Sequence, residues 1–334
     1  MSPAQWCHRL GTRVPLVQAP VGGASNPLLV AAVANAGAFG FLSGTWRDPT
    51  SLEAMVREIQ SATTGTFGVN FVLEWDMRER VERCLDVGVR HFGFFWGDPT
   101  PFVAAIHSAG GMVWSTVGSA EEAEVALAGG VDVLMAQGWE AGGHVRGTMA
   151  LSTLVPEIVD RSGDVPVVAA GGITDGRGLA AALCLGASAG CAGTAFLVAE
   201  EASTHGAYRE RLIAARGGDA VHTTIFDGGW PDAPHRVLRN RTWDTWLASG
   251  SPPSGARPGE GDVLGVDPEG DPVFRYTSHL PRPGGVGEVV EQALYSGQGV
   301  GRVLGVRTAA EIVAAFDREA REALGRLDWP GSIG

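Results

Sequence analysis

Glu140 and His144 are the only ionisable side chains in the stretch Ala136-Gln-Gly-Trp-Glu-Ala-Gly-Gly-His144. Just before it, residues 131–135 (Val-Asp-Val-Leu-Met) read as a short buried strand. A glycine turn at a strand end removes the side chains that would hold a flat ligand at a distance. Histidine adds the side chain whose ordinary pKa lies nearest neutral pH, so it can take or give a proton there. Glu140 reads as a structural group, because a carboxylate beside successive glycines can accept backbone N–H groups and fix the loop.

An active-site loop of this kind needs a strand to present it. Residues 15–20 read as a first strand, and Asn26-Pro27 as the cap and first position of a helix over 28–36 that ends at Gly37. Residues 38–43 read as the second strand. The alternation continues with helices over 52–59, 80–86, 102–108, 154–159 and 175–185, and strands over 66–72, 89–95, 111–117, 165–169 and 190–196. Ser119 and Glu122 have the spacing of a reciprocal capping box, opening a helix to Leu127. About eight such units imply parallel strands with right-handed crossovers, closed into a (β/α)8 barrel. An open doubly wound sheet is the alternative.

Residues 1–205 are expected to form this barrel and 206–296 a lid, with 297–334 carrying a helix that packs back on the barrel. Residues 208–215, 286–294 and 309–327 read as helical, and 251–285, rich in proline and glycine, as irregular. Trp230, Trp243 and Trp246 read as the core of the lid.

In such barrels ligands meet the C-terminal ends of the strands. Those ends supply Gln18, Pro20, Ser43, Asn70, Trp96, Thr116, Gln137, Gly171, Gly172, Gly193 and Thr194, with Glu140 and His144. The set is nearly uncharged, and the amides of Asn70 and Gln137 suit the edge of a planar heterocycle. Gly171-Gly172 and Gly193-Thr194 end the last two strands, where backbone N–H groups form the usual phosphate site.

Composition excludes several functions. Net charge is −12, which argues against nucleic acid or an anionic membrane as partner. All 25 basic positions are arginine, so no Schiff-base lysine and no P-loop lysine exist. Cys7, Cys84, Cys184 and Cys191 lack metal or redox spacing and read as free cytoplasmic thiols, and no metal site is expected. No signal peptide and no apolar run of about 18 residues is seen, so no membrane span is expected.

Several motifs occur together and in order. They are residues 18–20 (Gln-Ala-Pro), 68–70 (Gly-Val-Asn), 136–144, 169–173 (Ala-Ala-Gly-Gly-Ile) with 175–178 (Asp-Gly-Arg-Gly), and 193–196 (Gly-Thr-Ala-Phe). In combination they closely resemble the nitronate monooxygenase family over about residues 14 to 200. The resemblance implies an FMN-dependent barrel that oxidises alkyl nitronates with O2 to a carbonyl compound and nitrite. It implies flavin contacts at Asn70, Gln137, Gly142, Gly172 and the run Cys191, Ala192, Gly193 and Thr194. Gln18, Ala19, Pro20, Gly143 and Gly171 belong to the same motifs. His144 is the catalytic histidine by this resemblance. Some members carry a glutamine where Cys191 stands, so backbone contact is expected there.

The partners implied are a small nitronate or nitroalkane and O2, with a homodimer as one option for the assembly. Two rivals stand beside this reading. One is an FMN- and NAD(P)H-dependent enoyl-acyl-carrier-protein reductase, which has a similar histidine loop. The other is a flavin-binding protein without turnover.

Overall fold

The computed structural model describes residues 1–326. Its elements begin with α1 (Pro3–Leu10), β1 (Leu16–Gln18), α2 (Pro27–Asn35) and β2 (Phe39–Ser43). They continue as α3 (Pro49–Ala62), β3 (Phe67–Val72), α4 (Arg78–Asp86), β4 (His91–Phe95), α5 (Thr100–Ser108), β5 (Met112–Val117), α6 (Ala120–Ala128) and β6 (Val133–Gln137). After β7 (Gly143–His144) come α7 (Leu151–Val159), β8 (Val167–Ala170), α8 (Gly176–Cys184), β9 (Ala189–Ala192) and α9 (Thr194–Leu197). The remainder adds α10 (Gly206–Ala214), β10 (Ala220–Thr223), β11 (His235–Leu238), α11 (Arg241–Ala248), β12 (Val263–Val266), β13 (Pro272–Phe274), β14 (Val286–Gly287) and α12 (Ala309–Gly325).

Strands β1-β2-β3-β4-β5-β6-β8-β9 close into one parallel barrel, with Val17 opposite Cys191 at the seam. The expected barrel is therefore present and the open sheet is not. Local chemistry starts the helices where the sequence placed caps. Asn26 accepts the Leu29 N–H at 2.8 Å, with Pro27 at the first position of α2. Ser119 caps α6 through the Glu122 N–H, but the reciprocal bond is absent. The Glu122 carboxylate instead accepts the Gly118 N–H at 2.7 Å and pairs with Arg146 at 2.8 Å.

Alternation along the strands separates two apolar layers. Val17, Phe39, Phe41, Trp114, Val133 and Val168 fill the barrel interior. Their neighbours Leu16, Leu42, Leu134, Val167 and Ala192 pack outward beneath the helices. The interior needs a floor, and α1, which has no counterpart in the expected pattern, supplies it. Ser2 and Gln5 form a reciprocal capping box, and Trp6, 1% exposed, meets Trp114 edge-on with ring centroids 5.3 Å apart.

Three stretches depart from expectation. The last barrel strand ends at Ala192, and Thr194 to Leu197 turn into α9 rather than extending the strand. The region 251–285, expected to be irregular, holds β12 and β13, joined by a turn in which the Asp267 carboxylate accepts the Glu269 and Asp271 N–H groups. Residues 286–294 are not a helix. Val286–Gly287 pair with β12, and only Val289–Glu291 form a helical turn. Helix α12 packs on α8 and α2, capped reciprocally by Thr308 and Glu311. Leu327, the expected end of that helix, lies outside the described residues. Among the described residues no helix is long and apolar enough to cross a membrane.

Truncating the floor residue, Trp6→Ala, should cost about 3–5 kcal/mol of stability. Urea unfolding of the variant checks this; an unshifted midpoint would show that the interior does not depend on α1.

Candidate active site

The barrel strands end in a cavity of about 610 Å3, covered in part by segments between residues 266 and 299. Its size suits a cofactor-sized ligand. Ala19 and Pro20 line it after β1, Ser43 at the end of β2, Asn70 within β3 and Thr116 in β5. Gln137 ends β6, and Gly142, Gly143 and His144 come from the segment that follows it. Gly171 and Gly172 follow β8, Cys191 lies within β9, and Gly193 and Thr194 follow it.

Two expected contacts fall outside this wall. Gln18 is 0% exposed and points away from the barrel axis, where its Nε2 donates to Ser25 Oγ at 3.0 Å. Ala192 packs in the outer apolar layer, and its carbonyl accepts the Ala19 N–H. Both sit one residue out of phase with Val17 and Cys191, which face inward, and the strand period of two turns their side chains away from the cavity. Trp96 also leaves the wall. It adopts φ +63° and packs behind His144 and Trp230, with centroids 6.2 and 5.1 Å away. A bulky residue in that backbone region costs about 1–3 kcal/mol and persists only where packing over-determines it.

His144 is packed among aromatic rings. Its ring stacks on Trp230 at 3.8 Å and 28°, and His235 and Tyr295 lie 5.4 Å away. Its Nε2 is buried and has no hydrogen-bond partner. Burial drives the His144 pKa well below the ordinary histidine range, and neighbouring His235 adds to the effect. The imidazole is therefore neutral at neutral pH and can accept a proton. His235 is pushed down to about 4, chiefly by burial, so this pair carries no charge.

The backbone under His144 belongs to a small sheet outside the barrel. Gly143 and His144 form β7, which pairs antiparallel with Arg236 and His235 of β11. Gly143 takes φ +74°, open to glycine without strain. Gly142 is needed for a different reason from the expected one: a Cβ there would sit 2.3 Å from Gly297 N. Its bare backbone accommodates the 296–297 segment. Gln137 Nε2 donates to the His144 carbonyl at 3.0 Å. Glu140 is structural, as expected, but its target is the start of α7: its two oxygens accept the Leu151 N–H at 3.2 and 2.9 Å. Helix α7 has no side-chain cap of its own.

Arg236 completes the frame and was not anticipated. It is 2% exposed and donates to the carbonyls of Trp139 at 2.7 Å, Ala141 at 3.1 Å and Ala220 at 3.3 Å. Its guanidinium also covers the Trp139 ring at 5.2 Å. Trp230, Tyr295 and His279 were missed as wall residues. The tryptophans of this region read as lid core, and only long-range pairing brings one of them onto His144.

The donor set fits a planar heterocycle carrying a phosphate. Asn70 lines the cavity and its amide makes no hydrogen bond to the described residues. Neither Gly172 nor Gly193 donates its N–H to an acceptor among them. The Thr194 hydroxyl is engaged, accepting the Gly297 N–H at 3.0 Å. The start of α8 is not free for an anion, because the Asp175 carboxylate already accepts the Arg177 and Gly178 N–H groups. Burial pushes the Cys191 thiol up to about 12, which leaves it a thiol and no nucleophile.

Comparison with known proteins agrees with this geometry. A sequence profile for nitronate monooxygenase matches residues 6–79 and 75–249. A Mycobacterium tuberculosis relative, a hydroxy-methyl-oxo-octahydroindene-carboxyl-CoA dehydrogenase, is 37% identical over 72% of this chain and 67% of its own length. A nitroalkane oxidase from Streptomyces ansochromogenes superposes with a TM-score of 0.78 at 27% identity, covering 96% of this chain and 99% of that one. FabK from Thermotoga maritima superposes with a TM-score of 0.79 at 27% identity, covering 97% of each. The matched profile covers the barrel, the histidine loop and both glycine turns, and the chain belongs to the nitronate monooxygenase family, as an oxidoreductase.

Proposed function

We propose that this chain is an FMN-dependent enzyme that oxidises alkyl nitronates with O2 to a carbonyl compound and nitrite. The observation that carries the reading is the neutral imidazole of His144, its Nε2 without a partner, on the wall of a cavity rimmed by glycine turns. Asn70 and Gln137 would hold the heterocycle, and the Gly171-Gly172 and Gly193-Thr194 turns the phosphate. Bound there, FMN supplies the redox chemistry with O2.

The chain's own residues then have defined tasks. His144 accepts the α-proton of a neutral nitroalkane, or donates a hydrogen bond to a nitronate that arrives as an anion. The neutral ring cannot serve as a resident cation. Trp230 and Tyr295 exclude water around it and fix its plane. Gln137 and Arg236 hold the loop carbonyls, and Glu140 ties the loop to the start of α7, so that the ring keeps its aim.

A second reading, reduction or oxidation of an acyl thioester, draws support from the CoA-dehydrogenase relative and from the FabK likeness. One experiment separates the two. Purified protein should be yellow and should release nitrite with O2 uptake on propionate 3-nitronate, without oxidising NADPH. Rapid anaerobic NADPH oxidation with no nitrite would instead favour the thioester reading.

His144→Ala should keep its flavin and lose roughly 10^2- to 10^4-fold in turnover of 2-nitropropane, the usual worth of a positioned base. Steady-state O2 uptake checks this, and wild-type rates would remove His144 from the mechanism.

Acid should also weaken the fold through the buried imidazoles. The pKa values of His91, His144 and His235 are all lowered, in each case mainly by burial. The unfolded chain takes up their protons near the ordinary value while the folded chain refuses them. Their contribution is thus complete above about pH 7 and is lost as pH falls through 6.5 toward 4. The thermal midpoint should drop between pH 7 and pH 5, and a midpoint flat across that interval would show these rings accessible to protons.

A further inference from the structure

Four tryptophans cluster beyond His144, and the proposed chemistry uses only the first of them. Trp230 stacks on His144 and lines the cavity. It meets Trp75 edge-on at 5.3 Å and Trp46 at 6.1 Å, and Trp75 meets Trp46 at 4.6 Å. Trp75 comes from the loop between β3 and α4, and Trp46 from the loop between β2 and α3. Exposure rises along this row: Trp230 is 2% exposed, Trp75 is half-buried and Trp46 is 45% exposed. The row therefore runs from the reacting centre to solvent through neighbouring rings.

Arginine is distributed selectively over the rings near the site. Trp96 meets Trp230 at 5.1 Å, but the Arg146 guanidinium covers it at 5.4 Å. Trp139, in the histidine loop, is covered by Arg236. Glu122 offsets part of the Arg146 charge, whereas Arg236 has no carboxylate partner. Among the described residues no guanidinium covers Trp230, Trp75 or Trp46. A resident cation over an indole repels a second positive charge on the same ring. An electron is therefore harder to withdraw from Trp96 and Trp139 than from the uncovered row.

Proton chemistry gives the row a direction. The Trp230 indole N–H is buried and has no acceptor. An oxidised Trp230 thus has no base to take its proton and stays a desolvated cation, which is costly. At Trp46 the ring reaches water, which solvates the charge and can take the proton. An electron vacancy is driven from the buried ring to the exposed one.

We propose that Trp230, Trp75 and Trp46 form an electron relay that carries an oxidising equivalent out of the cavity. One-electron oxidants arise where a flavin meets light or O2; the relay rests on the flavin of the proposed function, and not on a nitronate as substrate. Such an oxidant takes one electron from the Trp230 indole. Trp46 refills Trp230, directly or through Trp75, and releases its N–H proton to water. The oxidant ends one electron richer, and Trp46 ends as a neutral indolyl radical. A thiol or ascorbate in solution then gives Trp46 one hydrogen atom, electron and proton together, and is itself left as the radical. His144 and Tyr295 are spared the oxidation.

Flash photolysis of the flavin-loaded protein, read by transient absorption, tests the relay without turnover. Blue-light excitation of the flavin supplies the oxidant. The wild type should form a long-lived neutral tryptophan radical. Trp46→Phe should lose most of it, Trp75→Phe part of it and Trp96→Phe none, with flavin content unchanged in each. After prolonged illumination in air, peptide mass spectrometry should find oxidised indole chiefly at Trp46 in the wild type and at Trp230 in Trp46→Phe. A full radical yield in Trp46→Phe overturns the relay, as does wild-type oxidation centred on Trp230. Protein that takes up no flavin overturns both the relay and the flavin reading. The expected radicals in a flavin-bound protein that releases no nitrite from any nitronate would support the relay and sink the nitronate reading.

Discussion

A two-residue ladder carries the chemistry of this molecule. Gly143 and His144 pair with Arg236 and His235, so the histidine's backbone belongs to a strand that arrives about ninety residues later in the chain. Without that pairing, a glycine loop after a barrel strand would sample many conformations, and an imidazole on it would have no fixed aim. The pairing ends that freedom and sets the ring against Trp230 and Tyr295. Every other feature of the site either reinforces the ladder or exploits the ring position it fixes.

Arg236 is the principal reinforcement. A buried guanidinium with no carboxylate partner must satisfy its donors on carbonyl dipoles, and it finds them on Trp139, Ala141 and Ala220. Two of these lie in the histidine loop itself. Glu140, between them, turns the other way and caps α7, which ties the loop to the barrel wall. The loop is thus clamped from above by the C-terminal segment and from below by the barrel. The same enclosure depresses the His144 pKa, so one set of contacts gives both the aim and the protonation state.

Much of this was legible in the chain because it depends on local signals. Strand periodicity, the Asn26-Pro27 start of α2 and the glycine turns at strand ends suffice for a closed barrel with its ligands at one rim. Parity was read less well. Gln18 and Ala192 belong to the right motifs, but each is one residue out of register with the inward face. The stretch 286–294 has helical apolar spacing, yet β12 offers it a strand partner and Gly287 takes φ +112°. Arg236, Trp230 and Tyr295 had no readable signal, because their significance comes from contacts made across the whole chain. An arginine among many arginines looks like surface until its three carbonyls are seen.

The central claim is that enclosure keeps the His144 ring neutral and aimed at the cavity in the working protein. The 15N chemical shifts of that imidazole, followed from pH 5.5 to 8 in flavin-loaded protein, report it directly. The neutral form should persist across the whole interval. A titration centred near 6.5, as for a solvated histidine, would contradict the account.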